Sequence, residues 1–130
     1  MIVVDASAVV EVLLRRPAAA AVEARLFAPG QTVHAPHLLD IEVAQVFRRF
    51  AAAGHVQSRR ARLALADLGD LAVGRYPHEV LLGRIWELRN NLTAHDAAYV
   101  ALAEALDAPL LTRDRRIAGA AGHRAKVELV

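Results

Sequence analysis

Cysteine is absent from the 130 residues of the chain. Disulfide bonds, thiolate zinc sites and thiol nucleophiles are therefore excluded. Aromatic residues make up only 5% of the sequence, and Trp86 is the one tryptophan, so few side chains are available on which nucleic-acid bases stack. The N-terminal run MIVVDASAVV has no basic segment and contains Asp5, which argues against a signal peptide and a membrane span. These absences predict a cytoplasmic protein without a membrane anchor.

Lysine is almost absent too, since Lys126 is the single lysine among 16 basic residues. The others are arginines, whose planar guanidinium groups bind phosphate in a bidentate manner. Several occur in clusters, at 15–16, 48–49, 59–62 and 113–116, and such clusters are able to form a phosphate-binding surface. Solvated helix faces and a biased coding composition explain the same clusters equally well, so the arginines alone do not decide between these interpretations.

The length and composition of the chain predict one compact domain over residues 1–130. Hydrophobic residues make up 55% of the chain and charged residues 23%, which is typical of a globular protein and not of a disordered one. A chain of this size buries roughly two thirds of its unfolded surface on folding, which is enough for one hydrophobic core.

Short apolar segments alternate with amphipathic segments along the whole chain. The predicted strands are MIVVD, TVHA, LAVGRY, APLLTRD and KVELV. The predicted helices are ASAVVEVLLRR, residues 18–27, PHLLDIEVAQVFRRFAAAG, SRRARLALADLGD, HEVLLGRIWELRNN, NLTAHDAAYVALAEAL and a short helix from Arg115. Strands that alternate with helices predict an α/β protein, here a three-layer α/β/α sandwich with a mainly parallel sheet.

Four acidic residues occupy comparable positions in these predicted elements. Asp5 ends the first strand, Asp114 follows the strand segment PLLT, Asp96 opens a helix, and Glu42 lies in the first turns of the helix after TVHA. In open parallel sheets, ligands bind outside the carboxyl ends of the strands, where the following helices also begin. The four carboxylates are therefore expected to converge on one edge of the sheet.

Each acid also has a simpler interpretation. Asp5 and Asp114 precede helices and are possible N-caps, Glu42 suits the positive end of a helix dipole, and TAHD has the form of a capping box in which Thr93 is the N-cap and Asp96 reaches back to it. Together, however, four anions in one small pocket repel each other unless a cation neutralises them. Oxygen ligands without cysteine or paired histidine favour Mg²⁺ or Mn²⁺.

The segments VVDAS, LLDIEVAQVFRR, LTAHDAAYVALAEALDAPLLTRD and the final short strand together resemble the PIN-domain ribonucleases of the VapC type, the toxins of type II toxin–antitoxin pairs. The resemblance extends over the whole chain. It implies a metal-dependent endoribonuclease that hydrolyses structured RNA, including transfer RNA, with Mg²⁺ as cofactor and Mn²⁺ as a substitute. It also implies a homodimer and a cognate VapB-type antitoxin whose tail covers the active site. The residues it assigns are a catalytic, metal-binding cluster of Asp5, Glu42, Asp96 and Asp114, with Ser7 and Thr112 as supporting hydroxyls.

Some positions stay open at this level. Asp40 lies two residues before Glu42 on the other side of the same helix, and only the family pattern selects Glu42. His95 adjoins Asp96 but projects about 100° away around the helix, as expected of a rim or surface residue. The arginines nearest to the predicted cluster are candidates for binding RNA: Arg113, Arg115 and Arg116.

The number of metal ions is also open, because Asp114 is followed by RRIAG and no further acid. The alternative to an enzyme is a non-catalytic RNA-binding or antitoxin-binding module of the same fold, in which the acids are only helix caps. The response to divalent metal separates the two, since a protein whose acids only cap helices is indifferent to Mn²⁺.

Overall fold

The computed structural model describes all residues, 1–130. It contains five strands: β1 (Ile2–Val4), β2 (Val33–Pro36), β3 (Val73–Tyr76), β4 (Leu110–Thr112) and β5 (Val127–Leu129). The strands form one sheet in the order β3-β2-β1-β4-β5. All neighbouring strands are parallel.

The helices are α1 (Ala6–Leu13), α2 (Ala19–Leu26), α3 (Leu38–Ala52), α4 (Ser58–Asp70), α5 (Leu82–Glu87), α6 (Ala94–Ala105) and α7 (Arg115–Gly119). Helix α1 packs against α2, α3 and α4, whereas α5 packs against α6. Right-handed crossovers between parallel strands place the first four helices on one face of this sheet and the last three on the other. The predicted α/β sandwich is confirmed. None of the helices combines the length and apolar character that a membrane crossing needs.

The two strands at the centre of the sheet, β1 and β4, are fully buried. Every residue of β1 and β4 is 0% exposed. A parallel strand covered by helices on both faces has no solvated side, so its sequence is a continuous apolar run and does not alternate. This explains why IVV and LLT are recognisable as strands although each has only three residues.

The order in which strands are added reverses at β1. Strands β2 and β3 lie on one side of it, and β4 and β5 lie on the other. Ligand sites in parallel α/β sheets form beside such a switch point, outside the carboxyl ends of the strands. Asp5 directly follows β1, and Asp114 lies two residues after the end of β4. Both acids are therefore at the position where this topology places a site.

One predicted helix is interrupted. Residues 78–91 form a 3₁₀ turn, Glu79–Leu81, and the short helix α5, which closes with the N–H of Leu88. Leu81 and Leu88 are buried at 4% and 1% exposure, and Ile85 between them is partly buried. Gly83, which lies within α5, has low helix propensity. The 3₁₀ turn and α5 together bring both leucines to the core without one regular helix.

Helix α1 also ends earlier than predicted, at Leu13 instead of Arg16. Arg15 has a φ of 52°, in the left-handed region that terminates helices. The N–H of Arg16 then donates to the carbonyl oxygen of Glu11 at 2.8 Å. This turn brings the Arg16 side chain back to the carboxylate of Glu11.

Candidate active site

The four predicted acids line one open cavity of about 640 Å³ at the carboxyl edge of the sheet: Asp5, Glu42, Asp96 and Asp114. They come from four different elements, because Asp5 precedes α1, Glu42 is on α3, Asp96 is on α6 and Asp114 precedes α7. The same cavity is lined by Ser7, Gln45, Arg49, His95, Tyr99 and Arg116. The expected convergence of these acids is thus present in the structure.

Asp5 is the most buried of the four, at 5% exposure. Its Oδ1 accepts from the N–H of Ala8 at 3.2 Å, so it does cap α1 as the simpler interpretation proposes. It also accepts from the hydroxyls of Ser7 at 2.6 Å and Thr112 at 2.5 Å. Burial raises the pKa of Asp5, the hydrogen bonds from these groups oppose the rise, and the charge of Asp96 adds to it. Asp5 therefore caps the helix and also faces the other anions.

The raised pKa of Asp5 predicts how stability depends on pH in metal-free protein. The folded state holds this proton more tightly than the unfolded chain, so the associated stability is fully present below the ordinary pKa of 3.8 and is lost as the pH rises through the raised value. Asp5→Asn has no such proton. Its free energy of unfolding relative to wild type should therefore increase from about pH 4 to about pH 7. Urea unfolding in EDTA measures this difference, and a difference that does not vary with pH would contradict the raised pKa.

Glu42 is held by Tyr99, which the sequence interpretation did not include. The Tyr99 hydroxyl donates to Oε1 of Glu42 at 2.6 Å, and Tyr99 is 1% exposed. Burial raises the pKa of Glu42, the bond from Tyr99 opposes the rise, and the charges of Asp96 and Asp5 add to it. Burial and the Glu42 charge raise the pKa of Tyr99 well above its usual range, so this phenol remains a donor. Tyr99 lies three residues after Asp96, on the same face of α6, and that spacing is the signal that identifies it.

Asp96 is half-buried in the first turn of α6. Its backbone N–H donates to the Thr93 hydroxyl at 3.2 Å, which is the expected N-cap. The Asp96 carboxylate returns no hydrogen bond to Thr93, so the capping box is only half formed. Val100 and Ala103, which follow Asp96 on the same face of α6, are 0% exposed. The carboxylate is therefore available to the cavity.

Asp114 has a cationic partner, Arg116, in the first turn of the helix that follows it. It caps α7 by accepting from the N–H of Arg116 at 2.8 Å, and its two oxygens also accept from the guanidinium of Arg116 at 3.1 and 2.7 Å. These bonds hold the pKa of Asp114 below its usual range. The Asp114 N–H donates to the Thr112 hydroxyl at 2.9 Å. Thr112 thus connects Asp114 to Asp5.

The donor set of the cavity fits a hard divalent cation. It consists of carboxylate and hydroxyl oxygens, the ligands that Mg²⁺ and Mn²⁺ prefer. Burial is the main cause of the raised pKa of Asp5 and Glu42, and the smaller contribution from neighbouring carboxylates is one that a cation offsets. In the present side-chain arrangement no three acidic or histidine groups are close enough to share one ion. Asp114 is instead engaged by Arg116 in this arrangement.

The remaining candidates occupy different positions. Asp40 forms a bidentate ion pair with Arg75 of β3, at 2.9 to 3.1 Å, and does not line the cavity. The structure thus places Glu42 rather than Asp40 at the site. His95 is exposed at the cavity rim. Arg115 is exposed, and Arg113 is paired with Glu11 at 2.6 Å, so the RNA-binding roles of these arginines stay predictions.

The chain is similar to known proteins over nearly all of its length. The PIN domain family matches residues 2–122. Ribonuclease VapC12 of Mycobacterium tuberculosis is 43% identical over 130 residues, which cover 100% of this chain and 99% of that protein.

Two solved structures share the fold. VapC20 of Mycobacterium tuberculosis, described as a sarcin–ricin loop cleaving toxin, superposes with a TM-score of 0.71 at 18% identity, covering 95% of this chain and 97% of that one. VapBC2 of Rickettsia felis, bound to a DNA fragment of its promoter, gives a TM-score of 0.71 at 14% identity, covering 99% and 98%. At these identities the similarity establishes the fold alone. The family match and the 43% identity to VapC12 go further: the chain belongs to the PIN-domain family, within the group of VapC ribonucleases.

Proposed function

We propose that the protein is a metal-dependent endoribonuclease and the toxin of a VapBC-type toxin–antitoxin pair. Its relative VapC12 is named a ribonuclease, which supports RNA hydrolysis by this chain. One observation carries the proposal: Asp5, Glu42, Asp96 and Asp114 converge on one cavity beside the switch point of the sheet. Carboxylates are weak nucleophiles toward an anionic phosphodiester but strong ligands for hard cations. Their convergence favours metal-assisted hydrolysis.

Asp5, Asp96 and Asp114 are the proposed ligands of Mg²⁺, for which Mn²⁺ substitutes, and Glu42 completes the set. When bound, the cation polarises a phosphate oxygen and lowers the pKa of a water molecule, so that hydroxide is available near neutral pH. Glu42 is also the proposed residue that orients the attacking water, because it lines the cavity and Tyr99 holds its Oε1 in place.

The hydroxyls of Ser7 and Thr112 orient Asp5 by donating to its two different oxygens. Such outer partners fix the direction of a ligand and increase metal affinity. Arg116, which pairs with Asp114 and lines the same cavity, is a proposed contact for a phosphate of the RNA backbone. Arg115 and Arg113 are the other proposed RNA contacts, and structured RNA is the proposed substrate class, as it is for VapC20.

The proposed partner is a cognate VapB-type antitoxin, because the structural neighbour VapBC2 pairs a toxin with its antitoxin. A homodimer in the cytoplasm is the proposed working form. Helix capping by Asp5 and Asp114 is the observation that favours the alternative, a non-catalytic module. Capping and metal binding use different lone pairs of a carboxylate, so the response to metal and not the presence of caps separates these functions.

The test is cleavage of a loop-containing RNA with and without divalent metal. Cleavage in Mg²⁺ or Mn²⁺ should fall by at least about 100-fold in excess EDTA, because a catalytic cation contributes several kcal/mol to transition-state stabilisation. Adding Mn²⁺ beyond the EDTA concentration should restore it. An Asp96→Asn preparation purified in parallel controls for contaminating nucleases. Undiminished cleavage in EDTA would contradict the proposed function.

A further inference from the structure

Glu11 of α1 is a buried carboxylate that does not line the cavity and has no part in the chemistry above. It is 5% exposed, and a charge buried to this extent requires hydrogen-bonding and charged partners. Its partners are the N–H of Ala18 at 3.0 Å, Nε of Arg16 at 3.2 Å and Nη1 of Arg113 at 2.6 Å.

Arg113 connects Glu11 to the loop that carries two site residues. It lies between Thr112 and Asp114, in the connection from β4 to α7. Its backbone N–H donates to the hydroxyl of Ser7 at 2.9 Å, while its guanidinium binds Glu11. Ser7 and Glu11 are four residues apart and share one face of α1. Arg113 is therefore attached to α1 by both its backbone and its side chain.

The two neighbours of Arg113 belong to the candidate active site. Thr112 donates to Asp5 and accepts from the N–H of Asp114, and Asp114 lines the cavity. Asp5 is the N-cap of α1, so α1 carries Asp5 at its beginning and Glu11 two turns later. The contact between Glu11 and Arg113 thus fixes the loop to the same helix that holds Asp5.

We propose that Glu11 is a positioning residue: through Arg113 it holds the loop from β4 to α7 on α1 and keeps Asp114 in the place from which it binds the divalent cation together with Asp5. The holding of the loop follows from the contacts alone, whereas the effect on the cation rests on the proposed function. The other cation bound by Glu11 provides a natural control, because Arg16 lies between α1 and α2 and its side chain pairs with Glu11 and not with a residue of the loop.

The test compares Glu11→Gln and Arg113→Gln with the control Arg16→Gln. Glutamine keeps the size of Glu11, but it has no charge and only one acceptor oxygen, so it cannot form an ion pair with a guanidinium. In EDTA, the amides of Arg113 and Asp114 should exchange with deuterium at least about tenfold faster in the first two variants, because the ion pair of Arg113 with the buried carboxylate of Glu11 holds them. Their exchange should be unchanged in Arg16→Gln.

The second measurement is Mn²⁺ binding by isothermal titration. Glu11→Gln and Arg113→Gln should each raise the Kd by about tenfold, the usual effect of losing a residue that positions a metal ligand. The double variant should bind no more weakly than the single variants, because both changes break one contact. Arg16→Gln should bind Mn²⁺ like wild type.

Unchanged amide exchange in both Glu11→Gln and Arg113→Gln would overturn the inference. If Glu11→Gln does not fold, the comparison of amide exchange in Arg113→Gln and Arg16→Gln tests the inference. Each of these two variants removes one cation from the carboxylate of Glu11. An Arg113→Gln variant that only lowers the salt dependence of RNA binding, by about one phosphate contact, would assign Arg113 to RNA instead and overturn the positioning role. If wild type binds no Mn²⁺ while exchange accelerates as expected, the holding of the loop is supported and the proposed metal-dependent function fails.

Discussion

Asp96→Asn should lower the rate of RNA cleavage by at least about 100-fold, because a ligand to the catalytic cation is lost and that cation contributes several kcal/mol. The substitution keeps the shape of the side chain and the backbone N–H that donates to Thr93. It leaves Val100 and Ala103 in the core undisturbed. The loss of activity is therefore expected in a protein that is fully folded. Single-turnover cleavage at saturating Mg²⁺ measures the chemical step directly.

Asp40→Asn is the matched control for this change. Asp40 is also an aspartate near a helix N-terminus, and it lies two residues from Glu42, but its partner is Arg75 and it faces away from the cavity. The Asp40→Asn variant should retain activity within about twofold of wild type. It stays folded, because a partly exposed ion pair contributes only about 0 to 1 kcal/mol to stability. Equal losses in Asp96→Asn and Asp40→Asn would mean that general charge, and not the cavity, determines cleavage.

The second large effect is the thermal stabilisation of wild type by Mn²⁺. A ligand that binds only the folded state at 100 times its Kd adds about 2.7 kcal/mol to the free energy of unfolding. For a chain of this size that raises Tm by roughly 10 °C. Asp96→Ala should lose most of this rise, because the remaining carboxylates bind the ion more weakly. Melting curves in EDTA and in Mn²⁺ measure both proteins.

The same curves separate the two interpretations of Asp96. Only half of its capping box is formed, so Asp96→Ala loses a dipole interaction of about 0.3 to 1 kcal/mol. Repulsion with Asp5 and Glu42 is relieved at the same time, and the Tm in EDTA should stay nearly constant or rise. A variant that is clearly destabilised in EDTA yet keeps the full Mn²⁺ shift would make Asp96 a helix cap only.

The fold and the convergence of the acids follow from regular features of the sequence. Continuous apolar runs such as IVV mark strands covered on both faces, and alternation with helices predicts a parallel sheet. In that topology, acids after strands meet at one edge, which is where Asp5 and Asp114 lie. The predicted regular helix at 78–91 was wrong, because the structure has a 3₁₀ turn and a short helix there. The pattern of buried leucines gave the buried face but not the points at which each helical segment begins and ends.

The periodicity of the sequence could not predict contacts between residues in different layers. A helical pattern gives the face of a residue but not its partner on another element, so the pattern did not choose between Asp40 and Glu42. The choice depends on Arg75 of β3, which binds Asp40, and on Tyr99 of α6, which binds Glu42. Glu11 was missed for the same reason, since its partner Arg113 is distant in sequence.

Binding of Mn²⁺, followed by electron paramagnetic resonance of the free ion, tests the central claim that four carboxylates form one cation site. The protein series is wild type, Asp40→Asn and the single variants Asp5→Asn, Glu42→Gln, Asp96→Asn and Asp114→Asn. We expect wild type and Asp40→Asn to bind Mn²⁺ equally and each variant of the cavity to bind it at least about tenfold more weakly. Cavity variants that bind Mn²⁺ as tightly as wild type would contradict the account.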